Sequence, residues 1–329
     1  MKASQLETEF WRKSLAAYHR PEGDFLAEGY APPGGKVADF TIVRLGDEFH
    51  FFHIERRIGG NCAWPGHEIY FGHSSTSDFV SWDCHEPVLL VEPGRWDGGH
   101  VYAPFVFAHD GLFYMFYTGL NACNAQQIGL ATSPDLFHWT RHPNNPLICP
   151  RDFEWAFWSD AEPCSCRDPH VVRIGELFHL YYTAVTRSGD GCVALATSHN
   201  LIDWEDRGPV KTIVQDSNGL DEGSNHLESA SVFERQGEFV LFYNHMHGLR
   251  LDRSLSPYAF GDTAGQIVWA GASGLEKVAE HDGDWLVAAF ENRTERLILG
   301  VLDWRLPDLA VRRITEWSEI GRFISPPSS

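Results

Sequence analysis

The chain has 329 residues, of which 43% are hydrophobic, and its formal net charge is −19. That hydrophobic content is enough for a sizeable core in one large domain or two ordinary ones. The negative charge repels phosphate backbones and anionic lipid surfaces, so we expect no nucleic acid and no membrane as partners, and a neutral or cationic substrate instead. Aromatic residues at 13%, with 30 Gly and 18 Pro, are typical of an all-β protein with many turns.

The first thirty residues read as an appendage. Leu6, Phe10 and Leu15 fall at helical spacing within residues 3–19, and a Gly- and Pro-rich loop follows from Gly23 to Gly35. We therefore expect an N-terminal helix and loop over 1–30 and the main domain over 31–329. An N-terminus without the apolar segment of a signal peptide, together with seven cysteines, predicts reduced thiols and a cytoplasmic location.

The rest of the chain repeats one unit. Each unit opens with an apolar strand, a two-residue turn and an aromatic second strand, which is the pattern of a β-hairpin. The five hairpins lie at 39–53, 102–117, 168–182, 228–243 and 275–290. A third strand follows each hairpin, and we expect a fourth to close each unit. Units of this length with four strands apiece predict a five-bladed β-propeller over residues 36 to about 315.

Acidic residues begin the innermost strands of three of these blades. Asp39 lies seven positions before Gly46, and Asp168 lies seven positions before Gly175, so the two are equivalent. Glu228 falls within one position of the same place in the fourth blade, whereas Ala103 occupies it in the second. Inner strands surround the propeller axis, so we expect three carboxylates at one mouth of the channel. Clustered like charges cost folding energy, which indicates a functional site.

These residues resemble a known group, the five-bladed propeller glycoside hydrolases of families 43 and 32. Arg167-Asp168-Pro169 is similar to the Arg-Asp-Pro element of family 32, and Tyr102-Ala103-Pro104 is similar to the aromatic-Ala-Pro element of family 43. The resemblance implies a glycosidase acting on a terminal furanosyl or pentosyl residue, such as an arabinofuranoside, a xyloside or a fructofuranoside. An oligosaccharide or other glycoside is therefore the expected partner, and the oligomeric state is left open.

The resemblance also implies roles for the three acids. Breaking a glycosidic bond needs a carboxylic acid that protonates the leaving oxygen and a carboxylate on the opposite face of the sugar. Glu228 is the expected acid. Asp39 is the expected carboxylate, as a base if the reaction inverts or as a nucleophile if it retains. Asp168 would stay ionised beside Arg167 and hold sugar hydroxyls.

Further residues are candidates for substrate binding. Tryptophans that do not recur between the blades lie in long loops, where an indole can stack on a sugar ring. His100 and Tyr102 precede the second inner strand, and His226 shares a strand face with Glu228. The full set of candidates is Trp64, Trp96, Trp158, His100, Tyr102, Arg167 and His226. The recurring Trp82, Trp139 and Trp204 are instead expected to pack blade against blade.

No cofactor is expected to be required. The resemblance suggests a structural calcium ion on the propeller axis, and the pair Cys164 and Cys166 lacks a second pair at zinc-ligand spacing. Three rival functions remain open at this stage. A mannoside phosphorylase on the same fold would need an anion site, for which Arg56, Arg57 and Arg167 are the candidates. The others are a transglycosidase and a non-catalytic sugar-binding propeller.

Overall fold

The computed structural model describes residues 24–57, 68–120, 125–159, 164–213, 227–246, 248–306 and 308–324. Within these ranges, twenty strands form five separate four-stranded antiparallel sheets. Blade one has β1 (Gly35–Leu45), β2 (Glu48–Arg57), β3 (Phe71–Thr76) and β4 (Asp83–Cys84), and blade two has β5 (His100–His109), β6 (Leu112–Leu120), β7 (Gln126–Ser133) and β8 (Thr140–Arg141). Blade three has β9 (Cys166–Ile174), β10 (Leu177–Val185), β11 (Gly191–Ser198) and β12 (Glu205–Thr212), and blade four has β13 (Glu228–Arg235), β14 (Glu238–His245), β15 (Gly248–Ser254) and β16 (Gln266–Ala270). Blade five has β17 (Ala272–His281), β18 (Asp284–Glu291), β19 (Arg296–Leu302) and β20 (Val311–Arg313).

Helical structure among the described residues is limited to three short turns. They are α1 (Phe25–Glu28), a 3₁₀ turn at Pro150–Asp152 and α2 (Trp317–Ile320). The turn α1 falls inside the loop expected between Gly23 and Gly35, while the helix expected over 3–19 lies outside the described residues. No helix in the described part of the chain is long and apolar enough to cross a membrane.

The five sheets are arranged in a ring. Within each sheet the strands follow chain order, and the first strand of each sheet contacts the first strand of the next. The contact between β17 and β1 closes the ring. The predicted all-β, five-bladed propeller with four strands per blade is confirmed, and the innermost strands β1, β5, β9, β13 and β17 surround the axis.

The segment before β1 ties the last blade to the first. Tyr30 and Leu297 of β19 exchange two backbone hydrogen bonds of 2.8 Å, and Val37 N donates to Glu295 O at 2.8 Å. The Tyr30 ring stacks on Trp82 with 3.8 Å between ring centroids. Closing a propeller through paired backbone and a buried aromatic stack removes sheet edges that would otherwise be exposed.

The recurring tryptophans pack between blades, as predicted. Trp139 of blade two packs edge-on against Phe52 of blade one, with ring centroids 5.7 Å apart. Trp204 of blade three packs in the same way against Phe116 of blade two, with ring centroids 5.6 Å apart. A hydroxyl oxygen holds the turn before each tryptophan by accepting a backbone N–H. In blade two, Oγ of Ser133 accepts the N–H of Leu136 at 2.9 Å, and the equivalent bond is present in blades one and three. Repetition of this turn explains why the tryptophans recur at the same spacing.

Every inner strand is interrupted by a β-bulge at the same level. The pairing register with the second strand shifts in each blade. The shifts fall at residues 37–40 of β1, 102–105 of β5, 167–170 of β9, 228–231 of β13 and 273–276 of β17. Ala103, Asp168, Ser229 and Gly274 sit in these bulges with positive φ, between 45° and 60°. In a regular strand, neighbouring side chains point to opposite faces, but a bulge turns two consecutive residues toward one side. The bulges therefore form a ring of paired positions around one mouth of the channel.

Candidate active site

The structure brings the three predicted acids into one hydrogen-bonded network. Ser229 joins two of them, because its backbone N–H donates to Asp168 Oδ2 and its hydroxyl donates to Asp39 Oδ1, both at 2.9 Å. Arg167 reaches the third, since its Nη2 donates to Glu228 Oε1 at 2.7 Å. The guanidinium also lies beside Asp168, with 3.6 Å between Nε and Oδ2. Residues up to 190 positions apart in the chain thus meet at the channel mouth.

Asp168 is the most firmly held of the three carboxylates. Its residue is 6% exposed, its Oδ2 accepts a hydrogen bond from Thr183 Oγ1 at 3.0 Å, and its backbone N–H donates to Thr118 Oγ1 at 3.2 Å. Arg167 is fixed in turn by Ser165, whose Oγ accepts from Nη1 at 2.8 Å. These contacts leave Asp168 little freedom, which suits a group that holds a substrate rather than one that reacts with it.

The exact register places Glu228 one position away from the other two acids. The hairpin turns begin at Gly46, Gly175 and Gln236, and counting seven positions back from each gives Asp39, Asp168 and Ser229. Glu228 is therefore equivalent to Arg167 of blade three and Tyr102 of blade two. Sequence reasoning missed Ser229, although the same count measured from Gln236 would have found it.

Burial and mutual repulsion set the electrostatics of the site. Desolvation, followed by the charges of Asp168 and Glu228, raises the pKa of Asp39 to about 7. Burial likewise raises the pKa of Asp168, although Arg167 opposes this rise. Since neighbouring carboxylates cannot all ionise at low cost, the free site retains a proton near neutral pH.

A pocket of about 370 Å³, including its open mouth, lies over these residues. Asp39, Asp168 and Ser229 line it, and further along the inner strands its wall includes Phe105, His170, Ser231 and Glu276.

This part of the wall does not fit the calcium ion expected on the axis. Calcium takes six to eight oxygen ligands, whereas two of the four side chains are the rings of Phe105 and His170, 4.5 Å apart. Burial raises the pKa of Glu276 to about 8, so its carboxyl group is largely uncharged at neutral pH. The calcium ion stays a prediction to which these residues lend no support.

The remaining substrate-binding candidates divide by position. Tyr102 lies at the bulge of β5, and His100 stacks on it with ring centroids 5.7 Å apart. Trp158 faces the Arg151 guanidinium at 5.3 Å. It follows Phe157, whose N–H bonds Val185 O at the mouth end of β10 with a distance of 2.9 Å. These three candidates lie at the mouth end of their blades, whereas Trp64 and His226 lie outside the described residues.

Trp96 occupies a different environment. A Cβ added at Gly119 would lie 2.3 Å from this indole, and one added at Gly129 would lie 2.4 Å from it, so the ring fills the space that these two glycines leave. Tyr117 packs against the same ring at 5.5 Å. These contacts show that Trp96 packs against its own sheet, and its place in substrate binding stays a prediction.

Comparisons with known proteins agree with this architecture. The family model described as "Glycosyl hydrolases family 32 N-terminal domain" matches residues 36–273. A β-fructofuranosidase of Arabidopsis thaliana, insoluble isoenzyme CWINV1, is 25% identical over 232 residues, which are 61% of this chain and 35% of that protein. Fructan 1-exohydrolase IIa from Cichorium intybus superimposes with a TM-score of 0.67 at 14% identity, over 89% of this chain and 61% of that one. An exo-1,5-α-L-arabinanase from a bovine ruminal metagenomic library superimposes with a TM-score of 0.58 at 17% identity, over 85% of this chain and 97% of that one.

The fold and the carboxylate cluster define the class of propeller-based glycoside hydrolases. Because the family model covers most of the chain, the chain belongs to glycosyl hydrolase family 32. Of the two families that the sequence resembled, this is the one that contributes the Arg-Asp-Pro element. The chain spans about a third of the length of the first two curated relatives that it matches, 35% and 30%.

Proposed function

We propose that the chain is a glycoside hydrolase that releases a terminal fructofuranosyl residue from a fructoside. The observation that carries the proposal is the joining of Asp39, Asp168 and Glu228 by Ser229 and Arg167 at the mouth of the channel, where Asp39, Asp168 and Ser229 line a pocket. Family 32 membership supports fructofuranosides ahead of the arabinofuranosides and xylosides that the sequence also allowed.

The contacts support the roles expected from the sequence. Glu228 has a side chain 47% exposed, so it can meet the leaving group at the pocket entrance and protonate the glycosidic oxygen. Asp39 lies deeper, and the hydroxyl of Ser229 holds its Oδ1 in a fixed orientation. From there it acts on the anomeric carbon, either directly or through a water molecule. Asp168 carries no proton in the reaction and holds sugar hydroxyls.

The raised pKa of Asp39 has a direct consequence for catalysis. Asp39 must be ionised to act as a nucleophile or a base, and a developing oxocarbenium ion beside it favours the ionised form. We therefore place the acid limb of kcat/KM near pH 7 in the free protein.

The experiment is a substrate panel followed by proton NMR. Sucrose, 1-kestose, an aryl α-L-arabinofuranoside and an aryl β-xyloside are incubated with the protein, and the spectra report both the sugar and the anomer first released. We expect fructose from the first two compounds, and we expect Glu228→Gln to lower kcat about 10²- to 10⁴-fold. A folded protein that binds fructosides and turns over none of the four compounds would instead be a sugar-binding propeller.

The same assay distinguishes the proposed hydrolase from two rival activities, a phosphorylase and a transglycosidase. A phosphorylase needs a cluster of uncompensated cations, yet Arg56 is paired with Glu68 at 2.5 Å and with Glu295 at 3.1 Å, and Arg167 is paired with Glu228. The side chain of Arg57 lies outside the described part of the chain. Turnover that depends on added phosphate would support a phosphorylase. Oligosaccharide formation at high sucrose concentration would support a transglycosidase.

A further inference from the structure

Three histidines meet on one face of blade one, at the end of the sheet away from the carboxylates. His50 on β2 lies opposite Ser75 of β3, which makes it a diagonal neighbour of His73 on the same strand. His85 follows β4 at the position opposite His73. Diagonal and directly opposed residues share a face of a sheet. His50 is opposite Val43, four residues beyond Asp39 on β1, which is about 13 Å along the strand.

The ring nitrogens converge. His50 Nδ1 lies 3.0 Å from His73 Nε2, and one atom from each of the three residues fits within a group whose members are all within 4.8 Å of one another. In a tetrahedral site with metal–nitrogen bonds of 2.0–2.1 Å, two ligand nitrogens stand about 3.3 Å apart. To bind an ion, both facing nitrogens would be unprotonated, and each neutral ring would carry its proton on its other nitrogen.

The surroundings explain the orientation of the rings but leave one nitrogen unsatisfied. Ser75 Oγ lies 2.8 Å from His85 Nε2, and Glu48 Oε2 lies 3.7 Å from His50 Nε2. Such outer contacts are typical of metal-ligating imidazoles, because they orient the ring and select the nitrogen that binds. His73 is 1% exposed, and its Nδ1 has no hydrogen-bond partner among the described residues.

Phe137 of blade two lies 5.0 to 5.5 Å from all three rings and covers the cluster on the side of that blade.

We propose that His50, His73 and His85 bind a divalent transition-metal ion, with Zn²⁺ as the representative. Three imidazole ligands and one remaining position for water match the preferences of Zn²⁺ and of Co²⁺, and they do not match those of Ca²⁺ or Mg²⁺, which take oxygen ligands. Because the ion would lie in the wall between blades one and two, its effect is on stability rather than on the reaction. The proposal is independent of the proposed function.

The test is calorimetric titration of the chelator-treated full chain with Zn²⁺, followed by thermal melting. We expect one ion per chain and, at a Zn²⁺ concentration about 100 times Kd, a Tm rise of about 4 °C. His85→Gln removes the partly exposed ligand and should raise Kd at least about tenfold. Co²⁺ should give the intense visible absorption of a tetrahedral complex, and the same variant should lose it.

His179 provides the matched control. It holds the same position in β10 of blade three as His50 holds in β2, it is 2% exposed, and it bonds Tyr258 instead of another histidine. His179→Gln should therefore leave Zn²⁺ affinity unchanged. Absence of one-to-one binding, or an equal Kd in wild type and His85→Gln, would overturn the proposal. If His85→Gln fails to fold, imidazole NMR of the unaltered chain decides, because Zn²⁺ should shift the resonances of three rings that contact one another.

Discussion

Replacing Asp39 with Asn should abolish turnover and at the same time stabilise the folded chain at neutral pH. The substitution removes a carboxylate whose pKa is raised to about 7 by burial and by two neighbouring acids. The amide oxygen of Asn can still accept the 2.9 Å hydrogen bond from Ser229. Stability should therefore change through the lost charge rather than through a lost contact.

The magnitude follows from the two protonation states. An ordinary aspartate ionises near pH 3.9, so a folded-state pKa about three units higher corresponds to about 4 kcal/mol when the carboxylate is ionised. The pKa of Asp168 is also raised, by burial and by the charge of Glu228, so the free-energy cost of ionising the cluster is shared between the two aspartates. We therefore expect a gain of about 2 kcal/mol, or about 3 °C in Tm for a chain of this length.

The pH dependence gives the direction a sharper test. Between about pH 4 and pH 7 the unfolded chain has released this proton while the folded chain retains it, so wild type loses stability as the pH rises. The gain of Asp39→Asn should be near zero at pH 4 and full above pH 7. Asp110→Asn, at a hairpin turn with a side chain 86% exposed, is the control and should show no such trend. Equal Tm differences at pH 4.5 and pH 8, or a less stable Asp39→Asn at pH 8, would refute the reasoning.

Three further outcomes are expected. Asp168→Asn should move the acid limb of kcat/KM to lower pH, because the lost charge lowers the pKa of Asp39; an unmoved limb in the residual activity would contradict this coupling. Arg167→Lys should lower kcat/KM about 100-fold in steady-state assays, since a lysine ammonium cannot hold Ser165 and Glu228 together, and full activity would show that charge alone suffices. Trp96→Ala should lower the free energy of unfolding by about 3 kcal/mol in denaturant titrations with KM unchanged, and a large rise in KM would instead place Trp96 at the substrate site.

Local signals were enough to predict the propeller. Two-residue turns such as Asp110-Gly111 have positive φ at both residues, and they fix the register of each hairpin within itself. Counting back from such turns therefore located the mouth of the channel and the equivalence of Asp39 and Asp168. The recurring tryptophans were interpretable for the same reason, because they follow a turn whose hydrogen bonds repeat.

Contacts between strands without a repeating motif were out of reach. His50, His73 and His85 are separated by 23 and 12 positions, a spacing with no meaning until β2, β3 and β4 lie side by side. The packing of Trp96 was likewise not predictable, because the space that receives its ring is created by Gly119 and Gly129 on two strands that follow it in the chain. Packing of this kind depends on which neighbouring positions lack a side chain, and those positions are known only once the strands are in place.

The bulges explain why an inexact alignment still found the site. In an uninterrupted strand, Glu228 and Ser229 would face opposite sides of the sheet, and a shift of one position would place the carboxylate away from the channel. At a bulge both residues turn toward the mouth, as Arg167 and Asp168 do in the neighbouring blade. The guanidinium of one blade can then pair with the carboxylate at the equivalent position of the next, across 2.7 Å. A site built on two consecutive residues per blade thus combines an outer and an inner position, which the proposed function assigns to the leaving group and to the sugar.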